Sequence, residues 1–346
     1  MLVLAALLCL LCLLALTGSG NAFAGPPGSL DQEADGAAVL RRAVRAGQDV
    51  GYEGVQLISS RNGADADSGL IDVVNRPGEG TSFTASGAAP VEGGGLVLRA
   101  APSPLDVDAK LLDLLRTNYR VVRAGTGTVC ERRAAIVEAR RGDGTVAGRF
   151  WLDEATGLLL RRETFDSEGR MAQVSAFVSI DFDPPADALT EGGTEHPWGD
   201  TLTSDERAEL RGDGWRLPDR LTESVVLVDA RATGRGDDRI VHLCYSEGIS
   251  VVSVFVQRGR LDAADAQVAG MRAEYRDGRA VYVSDGGQHR RVWEDGGFVY
   301  TVMADAPTEQ VDAVVTALVP ADGAAFVTQV GRGFDRLGDW LWAMAP

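Results

Sequence analysis

Hydrophobic residues recur every three or four positions from Asp35 to Gly47, with Ala37, Ala38, Leu40, Ala43 and Val44 on one stripe. That spacing predicts a capped amphipathic helix. The period then shortens to that of strands. Tyr52, Val55 and Leu57 begin a run that turns at Arg61-Asn62-Gly63, and a second run passes through Leu70, Val73 and Val74. Leu105 to Asn118, with Leu111, Leu112, Leu114 and Leu115, predicts another helix. From Tyr119 the pattern is a meander, with strands expected over Tyr119–Ala124, Val129–Arg140, Thr145–Asp153, Leu158–Phe165 and Met171–Phe182. Arg141-Gly142-Asp143-Gly144, Glu154-Ala155-Thr156-Gly157 and Ser167-Glu168-Gly169 supply glycine where tight turns need positive φ. One face of so large an antiparallel sheet must be covered, and the two helices are the nearby elements able to do it.

Beyond Trp215 a second strand set is expected over Leu221–Asp229, Arg239–Tyr245, Ile249–Gln257, Gly278–Ser284, Gln288–Glu294 and Phe298–Ala304. Asp277-Gly278, Asp285-Gly286 and Asp295-Gly296 mark hairpins. Val311, Val314, Val315 and Leu318 fall at i, i+3, i+4 and i+7 between Pro307 and Pro320, which predicts a closing helix. The expected class is α+β: a large curved antiparallel sheet, a half-barrel wrapped on helices, linked to a smaller domain with one helix on an antiparallel sheet.

A length of 346 residues fits two such domains. Met1 to Leu16 is almost purely apolar and is followed by Ala22-Phe23-Ala24, so residues 1–24 read as a secretory signal peptide with the mature chain starting at Gly25. The domains are then placed at 31–183 and 214–320, with a linker at 184–213 and an apolar-faced tail at 321–346, where Phe326, Val330, Phe334, Leu337 and Leu341 repeat at helical spacing. The tail has two readings, folding onto its own domain or docking to a partner or membrane. Beyond the signal segment the cysteines are Cys130 and Cys244. An oxidising compartment permits a disulfide between them, and the other reading is a pair of buried thiols.

The net charge is −16, which sets nucleic-acid binding aside. The charge is uneven. Asp181 to Asp219 carries eleven acidic and three basic residues, the composition of a solvated linker with room for one short helix through Ser204 to Leu210. Arg116 to Arg149 holds eight arginines against Glu131, Glu138 and Asp143, so the first domain is expected to present a basic face. Arg132, Arg133, Arg140 and Arg149 are the candidates for contact with a partner or anionic ligand, against the alternative of an ordinary solvent-facing sheet surface. The histidines are His196, His242 and His289, none in a ligand-spaced cluster, and there is no GxSxG elbow, phosphate loop or nucleotide fingerprint. Neither an enzyme nor a cofactor or metal is expected.

Particular segments carry a resemblance. Val129-Cys130-Glu131-Arg132-Arg133-Ala134-Ala135-Ile136-Val137, Arg140-Arg141-Gly142-Asp143-Gly144, Phe150-Trp151-Leu152-Asp153 and Thr156-Gly157-Leu158-Leu159-Leu160-Arg161 resemble the MucB/RseB family of extracytoplasmic sigma-factor regulators. So do Gly214-Trp215-Arg216-Leu217-Pro218 and the run Tyr245 to Val256. The resemblance implies a first domain similar to the lipoprotein carriers LolA and LppX and a location outside the cytoplasm. It also implies a partner, the extracytoplasmic region of a membrane-spanning anti-sigma factor, shielded from proteolysis until an envelope or lipid-type signal releases it. The alternative is a lipid or lipoprotein carrier of the cell envelope.

Overall fold

A computed structural model describes residues 30–62, 65–85, 96–98, 109–183, 199–262, 265, 268–276, 278–285 and 289–319. The expected signal peptide, the loop at Gly93-Gly94-Gly95, residues 105–108 of the second expected helix, His196 and the tail at 321–346 lie outside them.

The first expected helix is α1 (Leu30–Asp49), and it buries Leu40, Ala43 and Ala46. Gly36 interrupts its helical composition for a packing reason: a Cβ there would stand 2.9 Å from the backbone of Val122 and Arg123. The glycine therefore lets α1 lie flush on the sheet, at a helix-propensity cost of about 1 kcal/mol. The second helix, α2 (Ala109–Asn118), buries Leu111, Leu112 and Leu115.

Nine strands form the first sheet, β1 (Tyr52–Asn62), β2 (Asp65–Arg76), β3 (Gly80–Ala85), β4 (Leu96–Leu98), β5 (Arg120–Val129), β6 (Arg132–Arg140), β7 (Val146–Asp153), β8 (Leu159–Phe165) and β9 (Met171–Asp181), of which β3 and β4 were not expected. They form one open antiparallel sheet in the order β4-β3-β2-β1-β9-β8-β7-β6-β5. The helices cover the β5–β7 end, where Val121, Val137, Phe150 and Leu152 meet Leu40, Ala43 and Leu112.

The β5–β6 hairpin departs from expectation. Gly125 and Gly127 were expected to lie between strands, yet both sit inside β5. Gly125, at φ 146°, takes up a register shift, and Gly127 lets the Trp151 indole approach, since a Cβ there would stand 3.3 Å from its nitrogen. The turn falls instead on Cys130 and Glu131, both left-handed at φ 49° and 60°. Two consecutive positive φ values suit the twist of a two-residue hairpin, at roughly 1 kcal/mol or more per non-glycine residue.

The second sheet comprises β10 (Asp200–Thr201), β11 (Val226–Thr233), β12 (Ile240–Ser246), β13 (Val251–Arg258), β14 (Arg272–Arg276), β15 (Arg279–Ser284), β16 (His289–Asp295) and β17 (Phe298–Ala304). Their order is β10-β11-β12-β13-β17-β16-β15-β14. The closing helix is α4 (Thr308–Leu318), and Val311, Val314, Val315 and Leu318 are its buried residues. Each contributes roughly 1.5–3 kcal/mol of burial. Trp293 stacks on Tyr300 at 5.1 Å inside the same core.

Half of the acidic segment is folded onto this sheet. Between β10 and β11 lies α3 (Ser204–Gly212), opened by a capping box in which the Glu206 amide donates to the Thr203 hydroxyl and the Thr203 amide to Glu206. Leu202, Leu210, Trp215 and Leu217 enter the core. Their carboxylate neighbours hid this, because the apolar positions are sparse while the charges face solvent. Strand β14 was not expected either, since Arg272, Glu274 and Arg276 interrupt its apolar residues. Among the described residues no helix is long and apolar enough to cross a membrane.

Candidate functional site

The four arginines singled out in the sequence lie on β6 and β7, and the structure gives each a carboxylate. Register explains why: Glu138 on β6 is directly opposite Arg149 on β7, which is directly opposite Glu163 on β8. Glu138 accepts from Arg140 at 2.7 Å and from Arg149 at 2.8 Å. Glu163 pairs with Arg161 and, at 3.5 Å, with Arg149. The result is a ladder of alternating sign whose two carboxylates are nearly buried beneath the guanidiniums. Arg149 and Arg161 also stand over the Trp151 ring, at 5.8 and 5.0 Å.

Arg132 forms a two-pronged bond with Asp153, both contacts 3.0 Å, and lies 4.4 Å over the Phe182 ring. Burial pushes the Asp153 carboxyl up, but hydrogen bonds from Arg132 and from the Thr156 amide and hydroxyl outweigh it and hold it below the usual carboxylate range. Arg133 is the exposed one, at 73%, and still meets Glu154 at 2.8 Å. The expected basic face is therefore a compensated surface. Counting charge from Arg116 to Arg149 missed its partners Asp153, Glu154 and Glu163, which follow in sequence and fall alongside in space.

The suggested Cys130–Cys244 disulfide is not formed. Cys130 lies in the turn of the first sheet and its thiol donates to the Phe177 carbonyl at 3.0 Å, whereas Cys244 sits on β12 opposite Ser253. Two half-buried thiols, the other reading of the sequence, is the arrangement observed. His242 stacks on Phe255 and bonds Ser253 at 3.0 Å, and His289 bonds Asp285 at 2.9 Å. Among the described residues no group of three His, Cys, Asp or Glu side chains is placed to hold a metal ion.

The two sheets meet where the β12–β13 turn, Ser246 to Ser250, enters the first half of the molecule. Gly248 at φ 108° presses against the backbone of Leu115, where a Cβ would collide. Asn118 donates to the Glu247 carbonyl at 2.9 Å, and Arg162 to the Ile249 carbonyl at 3.3 Å. The Glu247 carboxylate accepts from the Ser250 amide at 2.8 Å and from Gln310 at 2.6 Å. Burial raises its pKa, with those hydrogen bonds opposing. The joint thus combines hydrogen bonds with apolar packing, since Ile249 in the same turn is buried in the core of the first sheet.

Uncompensated charge is found elsewhere. A cavity of about 960 Å³ opens between α1, the end of α2 and the Arg140–Gly144 turn, and a second of about 480 Å³ lies between α1 and α2. Arg41 and Arg116 line both, and Arg45 lines the second. None of these three has an ion-pair or hydrogen-bond partner among the described residues. Ala38, Val44 and Leu112 give the smaller cavity an apolar floor. The periodicity signal was present, since Arg41 and Arg45 are one turn apart, but only the packing of α1 against α2 brings Arg116 to them.

Two open antiparallel sheets with helices across one end, locked by a buried joint and carrying a cationic groove, define an α+β protein with the makings of a binding surface. Residues 96–192, from β4 past β9, match the family model of the MucB/RseB N-terminal domain, the same family the sequence motifs resemble. Among solved structures, the Pseudomonas aeruginosa MucA/MucB complex is 18% identical, covering 81% of this chain and 96% of that one with a TM-score of 0.45. A crystal structure of MucB is 20% identical over 84% of this chain and 98% of that one, with a TM-score of 0.47. The LolA superfamily protein NE2245 from Nitrosomonas europaea is 11% identical over 44% and 96%, with a TM-score of 0.20. No curated protein matches the sequence.

Proposed function

We propose that this protein is an extracytoplasmic negative regulator of a sigma-factor stress response. It is exported with loss of residues 1–24, binds the exported region of a membrane-spanning anti-sigma factor, and shields that region from proteolysis until an envelope or lipid-type signal releases it. No catalysis is part of this role. The observation that carries the reading is the family match over residues 96–192, which spans the strands of the compensated ladder. The buried joint adds support, because halves tied by hydrogen bonds and by Ile249 lose less freedom when an extended partner lies across both.

Calorimetric titration of the mature chain with the exported region of an anti-sigma factor from the same genome should show saturable binding, and the complex should resist a protease that cleaves the free region. Absence of binding to every such region, together with lipid co-purifying with the chain, would replace this reading with that of a carrier.

A further inference from the structure

We infer that the groove between α1 and α2 receives an extended acidic segment of the protein partner, with its carboxylates on Arg41, Arg45 and Arg116 and its apolar side chains on Ala38, Val44 and Leu112. This rests on the partner-binding reading and gives it a location. A chain of net charge −16 repels acidic partners overall, so an acidic segment can approach only where cations lack internal counter-ions. The arginines of β6–β8 do not qualify, because Glu138, Glu163, Asp153 and Glu154 already neutralise them.

The groove differs in each respect. Setting Arg140 aside, since Glu138 holds it, the lining carries Arg41, Arg45, Arg116, Arg120 and Arg141 against three carboxylates. Of those carboxylates, Glu33 is engaged by Arg120 at 3.6 Å and Asp143 accepts from Thr145 at 2.7 Å. Asp113 remains beside three arginines, leaving a local excess of positive charge. Arg41 and Arg45 are one helical turn apart on α1, and Arg116 faces them from α2. Forked guanidiniums in that spacing suit successive carboxylates, each bound by two parallel hydrogen bonds. The ten residues of α2 give a wall about 15 Å long, room for about four or five residues of extended chain. An apolar floor under a cationic rim selects a segment in which acidic and apolar residues alternate.

The test uses a fluorescent peptide of alternating glutamate and leucine, read by anisotropy at two salt concentrations, alongside titration with the exported anti-sigma region. The Arg41→Ala, Arg116→Ala double variant should bind both about tenfold more weakly and with a flatter salt dependence. An Arg170→Ala, Arg272→Ala control removes the same charge from exposed, ion-paired positions and should change affinity less than about twofold. All three proteins should melt alike. Equal losses in the two variants would overturn the proposal, because net charge alone would then explain binding. It would also fall if the peptide failed to bind while phosphatidylglycerol vesicles did. Undiminished binding of the exported region by the groove variant removes the groove and leaves the regulator reading standing. Peptide binding that depends on Arg41 and Arg116, with no binding of any exported region, removes the regulator reading instead.

Discussion

Arg149 and Arg116 carry the same guanidinium into opposite circumstances. Arg149 lies on a sheet, where strand register puts Glu138 and Glu163 on either side of it and Trp151 beneath. Arg116 lies on a helix that faces another helix, and what it faces there is Arg41. The first arrangement holds sheet strands together; the second leaves potential for something outside the chain. Net charge counted along a segment cannot tell these apart, because compensation is settled by neighbours in space.

Removing the charge that neutralises the ladder should have the largest effect on stability. Glu138→Gln keeps the shape but leaves Arg140 and Arg149 adjacent without their shared carboxylate. The expected loss is about 2 kcal/mol in urea unfolding, below the range for a fully buried pair because both guanidiniums keep some solvent contact. A loss under about 0.5 kcal/mol would mean the ladder behaves like ordinary surface charge, and the contrast with the groove would lapse.

A smaller effect should follow from the other compensated pair. The Asp153 carboxyl is held below its ordinary range, so its pairing adds stability at pH values above about 4, lost as pH falls through the depressed native value. Arg132→Ala should cost about 1 kcal/mol near neutrality, and the gap from wild type should close in acid as Asp153 is protonated in both. A gap independent of pH would show that Arg132 acts through its packing on Phe182 instead.

Periodicity made much of the fold legible. The stripe through Leu40 and Ala43 and the valines of α4 specify their helices because each apolar face has one sheet to bury against. Turns were harder to read. Gly125 and Gly127 signal a hairpin by composition, yet the nearness of Trp151 and a register shift claim both glycines, and the turn moves to Cys130-Glu131. The folded half of the acidic segment was obscured in a similar way, as Leu202, Leu210 and Trp215 stand among carboxylates that point outward. At the site, the arginines of β6 and β7 and one partner, Glu138, were visible, while Asp153, Glu154 and Glu163 fell beyond the segment, and Arg41 and Arg45 gave no signal of their own until α1 packed on α2.

Hydrogen exchange of the protein with the exported anti-sigma region bound locates the partner without altering either surface. Slowed exchange should concentrate in Leu30–Asp49 and Ala109–Asn118, the two walls of the groove. Protection confined to β6, β7 and β8, with both helices unchanged, would empty the groove and return the partner to the arginine ladder.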